Sequence, residues 1–185
     1  MRLQGQLDSP LTPQGRQEAA RQAALIAPVL AQNPAVIVSP LGRTLETAAI
    51  ALGGRGFQTD ERLMEIDAGA WQGMLRSEIF ALRPEWAATR PTALEIYDVA
   101  EGGEGLAAFK ARIIAFLRDL TGPTVVVAHG LLGQVLRAHV CGLDITEAGK
   151  LSNIQGCVYV LEDGTETVWE TPRGPHALPK TGVCL

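Results

Sequence analysis

Three polar residues stand where a chain could do chemistry on an anion. His129 ends the apolar run Val125–Ala128 and is followed at once by Gly130 and a helix-like pattern. A strand end that turns directly into a helix start aims backbone N–H groups at one point, a natural anion site. A glycine there lets a ligand approach the backbone. Arg43 lies five residues beyond a second apolar run, Ala35–Val38, and a guanidinium in that place can fork onto phosphate oxygens. Glu65 sits between apolar Met64 and Ile66. A carboxyl in semi-apolar surroundings holds its proton longer and can act as a general acid. Each residue also has an ordinary reading: a packed histidine at a strand end, an arginine on a helix surface, a solvated loop acid. Arg43 and His129 both follow strand ends, and that coincidence favours chemistry.

Other candidates carry less. His139 lies inside an apolar helical pattern and His176 in a proline-rich tail, so the three histidines lack the spacing of a metal site. Neither metal nor cofactor is expected. The stretch "EGGEG" has no Gly-Lys-Ser/Thr after it and is no phosphate loop.

The elements that must position these residues follow from periodicity. Thr12 can cap and Pro13 suits a first helical position; Ala19, Ala23, Ile26 and Leu30 then keep helical spacing. Pro28 predicts a kink or break. The run 35–38 reads as a buried strand, and Leu45, Ala48, Ala49 and Leu52 mark the helix after it. "RLMEIDAGAWQG" has no period and reads as a loop, with a short helix at "RSEIFAL". Leu106, Phe109, Ile113, Phe116 and Leu120 mark a strong helix, ahead of a strand at 124–128 and a helix at 131–141. Asp163-Gly164 predicts a tight hairpin turn. Strands alternating with helices imply a three-layer α/β/α domain on a mainly parallel sheet, with ligands at the carboxyl ends of the strands. The expected division is a single domain over 1–170 and a loosely ordered tail over 171–185.

Bulk properties narrow the function. The 185 residues are 46% apolar with a net charge of −4. That suits one domain with a sizeable core and gives no basic field to recruit nucleic acid. No stretch approaches the roughly 20 apolar residues of a membrane span. The three widely spaced cysteines suit neither a disulfide framework nor a zinc site. A cytoplasmic protein is expected, since the first residues lack the apolar core of a signal peptide.

Taken in order, "RLQGQLDSPLTPQGRQEA", "VSPLGRTLETA", "LMEIDAGAWQG" and "VVVAHG" resemble the histidine phosphatase superfamily, the phosphoglycerate mutase-like proteins. The resemblance runs from Arg2 to about residue 162. It implies a metal-independent phosphomonoesterase acting on a small phosphorylated metabolite through a phosphohistidine. Arg43 would be the phosphate-clamping arginine, Glu65 the proton donor and His129 the second histidine of the site, stabilising charge. Gly130 would offer its backbone to the phosphate, and Gln4 and Gly5 would border the substrate.

One part of the family pattern is missing. The family opens with a buried strand ending in Arg-His-Gly, whose histidine attacks phosphorus, and this sequence contains no Arg-His-Gly. The resemblance therefore implies a phosphoglycerate mutase-like sheet without its first strand. It also implies a chain nearly inactive as written, read as the shortened form of a longer protein. The strand at 124–128 would be left with unpaired backbone groups on one side. An open edge of that kind favours association, a homodimer being the simplest case. Two alternatives share the site. One is a noncatalytic phosphate-ligand binder that fills the gap with its own tail or a partner chain. The other is a phosphoglycerate mutase-type phosphotransferase.

Overall fold

Thr12 and Pro13 start helix α1 (Pro13–Leu30), and the Thr12 hydroxyl accepts the Gly15 N–H at 3.0 Å. Pro28 does not break this helix. It falls within the last turn, and the helix ends two residues later. Strand β1 (Ala35–Val38) follows, then helix α2 (Gly42–Ala51) and a two-residue strand β2 (Gln58–Thr59). The segment around Glu65 is a loop tightened by two short 3-10 turns, Glu61–Leu63 and Gly69–Trp71. Three short helices come next: α3 (Arg76–Leu82), α4 (Trp86–Thr89) and α5 (Ala93–Asp98). Helix α6 (Gly105–Arg118) leads to β3 (Thr124–Val127), α7 (Gly130–Val140) and α8 (Ile145–Ala148). The predicted hairpin is β4 (Val158–Glu162) and β5 (Thr165–Trp169). Asp163 and Gly164 both take positive φ, +48° and +76°, as a type I′ turn requires. A last strand, β6, is Val183–Cys184. The computed structural model describes residues 2–171 and the backbone of 183–184.

The sheet runs β2-β1-β3-β6-β4-β5. Strands β2, β1, β3 and β6 are parallel, while β4 is antiparallel to both β6 and β5. Successive residues of a strand face opposite sides, so Val125 joins Leu25, Ile26, Val36, Ala48 and Trp169 beneath α1 and α2. Val126 joins Phe109, Ile113, Leu132, Leu136 and Leu161 beneath α6 and α7. The result is the expected α/β/α layering on a largely parallel sheet.

The expectation of an unpaired side on β3 needs correction. Strand β6 lies there, in register Thr124↔Val183 and Val125↔Cys184, and pairs on its other side with Val160 and Leu161 of β4. The backbone groups of a central strand demand partners, and two tail residues supply them to the half of β3 remote from His129. Two of the fifteen residues expected to form a loose tail are therefore strand; 172–182 and 185 lie outside the described residues.

Candidate active site

Arg43 and His129 are brought together by the pairing of β1 with β3. The Ser39 N–H continues that ladder onto Val127 O at 2.9 Å, so both chains leave the sheet side by side at their carboxyl ends. Arg43 is the second residue of α2, whose N-cap residue, Leu41, has no polar side chain to cap with. Asp8 supplies the cap from outside, accepting the Gly42 N–H at 3.1 Å and the Arg43 N–H at 3.2 Å. A side chain on Gly42 would run into that carboxylate.

The guanidinium donates from Nη1 to Leu7 O and from Nη2 to Gly5 O, both at 2.8 Å, and from Nε to His129 Nδ1 at 3.2 Å. Burial lowers the Arg43 pKa, against the opposing pull of Glu65 and Asp8. With Nδ1 accepting, the ring proton of His129 sits on Nε2 and is donated to the buried Ser39 Oγ at 2.7 Å. Burial, then Arg43 and Arg112, push the His129 pKa down to about 3, so the ring is neutral at pH 7.

The helix start after His129 does hold an anion-type group, and that group is Glu65. Its Oε2 accepts the Leu131 N–H at 3.0 Å, and its Oε1 accepts the N–H groups of Leu132 at 3.0 Å and Ile66 at 3.1 Å. Three such bonds and the charge of Arg43 favour the carboxylate; burial favours the acid and dominates, raising the pKa. A carboxyl whose pKa is raised keeps its proton to higher pH than an ordinary one and can hand it over.

Gly130 opens α7, and a Cβ there would run into the Asn153 amide. Gln4 and Gly5 line the same cavity, with Gln4 Nε2 on Ser9 Oγ at 2.8 Å and Gly5 at φ +53° against Gln72 and Ala68. His139 is in the last turn of α7, away from these groups. Sequence reasoning missed Ser39, Asp8, Asn153 and Tyr97. Ser39 was in view, one residue past a strand end; the others reach the site only through the fold. Tyr97 of α5 lines the cavity, and burial raises its phenol pKa.

The cavity encloses about 520 Å³. Arg43, Glu65 and His129 stand at it, and Val125–Val127 of β3 and Val158 and Tyr159 of β4 form walls. Its lining also includes Ala19 and Ile26 of α1 and Gly133 and Arg137 of α7. Those helices cover opposite faces of the sheet, so the lining includes residues from both faces. Among the described residues no group of three or more His, Cys, Asp or Glu could hold a metal ion.

Chemically, the arrangement offers a cation, a neutral imidazole and a buried acid around one space. It offers no activated nucleophile among the described residues. Ser39 Oγ meets the protonated nitrogen of His129, the wrong tautomer for a base. Both ring nitrogens of His129 are engaged.

Comparison with known proteins gives the chain relatives in both sequence and fold. The chain is 34% identical over 160 residues to glucosyl-3-phosphoglycerate phosphatase of Mycolicibacterium vanbaalenii, covering 78% of this chain and 68% of the relative. It is 30% identical over 159 residues to phosphoserine phosphatase 1 of Hydrogenobacter thermophilus, covering 79% and 71%. The solved structure of YhfR from Bacillus stearothermophilus superposes with a TM-score of 0.72 at 31% identity, over 94% of this chain and 90% of that one. No described helix is long and apolar enough to cross a membrane. The histidine phosphatase superfamily (branch 1) matches residues 1–170, and the chain belongs to that superfamily.

Proposed function

We propose that this chain carries the phosphoryl-binding and proton-donating part of a phosphomonoesterase-type histidine phosphatase, with a small phosphorylated metabolite as ligand. The observation that carries the reading is the convergence of Arg43, His129 and Glu65 on one cavity at the carboxyl ends of β1 and β3. Arg43 would hold phosphoryl oxygens as charge shifts in the transition state, with His129 and the Gly130 N–H beside it. Glu65 would protonate the leaving oxygen. The phosphatase names of relatives support a phosphate monoester as ligand.

His129 does not serve as attacker in this reading. Its Nε2 carries the proton given to Ser39 and its Nδ1 faces Arg43, whereas attack needs a free lone pair in line with the leaving group. The chain alone is expected to bind phosphate without turnover. Titration with inorganic phosphate, followed by calorimetry, tests the pocket. Saturable binding is expected, weakened about 10- to 100-fold in R43A for the loss of charge-assisted hydrogen bonds. Equal affinity in R43A removes the assignment. Acid-labile phosphate on His129 after incubation with p-nitrophenyl phosphate would refute its noncatalytic place.

A second reading, a phosphate-binding pseudoenzyme, is favoured by β6, which fills the sheet between β3 and β4 from within the chain. The in-frame DNA upstream of the Met1 codon separates the two. An apolar strand ending in Arg-His-Gly supports the phosphatase; a stop codon directly upstream supports the binder.

A further inference from the structure

The stretch Glu101–Gly105 holds no ligand in the reading above, yet it is laced to the loop that carries Glu65. Ala70 N–H donates to Glu101 O at 2.8 Å, Glu104 N–H to Asp67 O at 3.3 Å, and Asp67 N–H to Glu104 Oε1 at 2.9 Å. The two loops meet backbone to backbone. A Cβ on Gly103 would lie 2.7 Å from Asp67 O, and one on Gly69 would run into Glu101 O and the Gly102–Gly103 peptide.

Arg112 of α6 completes the lacing. Its Nε and Nη2 fork onto Glu104 at 2.9 and 2.8 Å. Its Nη1 reaches Arg62 O at 2.6 Å and its Nη2 reaches Glu65 O at 3.1 Å. The guanidinium lies over the Phe109 ring, 4.6 Å from its centroid. Neither Glu104 nor Arg112 lines the cavity.

We infer that Glu104 and Arg112 are positioning residues for Glu65: the pair pins the loop at Arg62, Glu65 and Asp67, so that the Glu65 carboxyl stays seated on the first N–H groups of α7. The inference rests on reading Glu65 as the proton donor. The groups facing that carboxyl are Arg43 from α2, Tyr97 from α5, the Leu131 and Leu132 N–H groups from α7 and the adjacent Ile66 N–H. Gln6 and Arg112 hold its backbone carbonyl. Arg112 meets Glu65 only through that carbonyl, so it acts on the acid by placement. A loosened loop lets water reach the carboxyl and removes part of the burial that raises its pKa.

The test uses the full chain with ¹³C-labelled glutamate carboxyls, the Glu65 resonance being assigned by its loss in E65Q. The variants are E104Q, which keeps an acceptor for Asp67, and R112K, which keeps the charge but not the fork. In both, the Glu65 titration should move down toward the ordinary carboxylate range. Amide exchange at Leu131 and Leu132 should speed by about tenfold or more, while β3 amides hold their protection. An unmoved Glu65 titration in folded E104Q and R112K overturns the inference, as does faster exchange at Leu131 and Leu132 only in step with global unfolding. If R112K does not fold, E104Q decides alone. Phosphate titration of the unaltered chain runs alongside. Failure to bind would count against the proposed function, and the Glu65 titration would still decide the clamp.

Discussion

His129 is a base deprived of its usual reasons to be one. In the unfolded chain it titrates near 6.5, and in the fold burial and two arginines push it down to about 3. Between those values the unfolded chain binds a proton that the native state refuses. Stability is therefore lost as pH falls from 6.5 toward 3, by up to about 1.4 kcal/mol per pH unit. Urea midpoints at pH 7, 6, 5 and 4 should fall more steeply for the native sequence than for H129Q, which cannot take the proton. Parallel curves would mean that the ring is open to water.

Glu65 has the opposite sign. Its folded pKa is raised, so above the ordinary carboxylate range the unfolded state gains by ionising, and stability declines as pH rises through the folded value. E65Q presents one acceptor oxygen to N–H groups that now share two. It should cost about 1–3 kcal/mol in chemical denaturation. Arg43, Glu65 and His129 were legible because each adjoins an apolar run that marks a strand or a semi-apolar loop. Which atom each would touch was not. That Glu65 occupies the helix N-terminus, 66 residues away in sequence, depends on how the loop folds back, and no local pattern records it.

The elements with long apolar periods, α1, α6 and α7, fell where their spacing put them, and the β4–β5 turn where Asp163-Gly164 put it. Those that escaped notice are short. Helix α5 has six residues, yet it carries a capping box in which Thr92 Oγ1 accepts the Glu95 N–H and Glu95 receives the Thr92 N–H. Strands β2 and β6 have two residues each, too few for any alternation to show. The glycines of "EGGEG" were visible as a pattern, but their use was not. They fit one backbone against another, which only the fold reveals. Gly103→Ala forces a Cβ against Asp67 O at 2.7 Å. It should destabilise by roughly 1–3 kcal/mol in urea titration, and an unchanged midpoint would mean that the two loops can part without cost.

At the scale of the molecule, the sheet is two halves with a thin join. On one side stand β2, β1 and β3, on the other β4 and β5, and β6 pairs with each over two residues. Helices α1 and α7 cover the two faces of the sheet, and both line the cavity of about 520 Å³. A proline in β6 removes an N–H from a strand that pairs on both sides. V183P should lower the denaturation midpoint and bring dimers or larger species into size-exclusion profiles, because it bares apolar strand edges. A monomer of unchanged stability would show that the helices alone hold the halves together.

That join also sets an order in time. A ribosome releases the chain from its first residue onward, and domains generally fold as they emerge. Here the strands on either side of the seam are made well before the residues that tie them, at positions 183 and 184. A chain in which β3 and β4 have formed and residues 183 and 184 have not yet paired has an untied seam. Its bared strand edges are then open to any other strand, a chaperone's client groove or a second copy included.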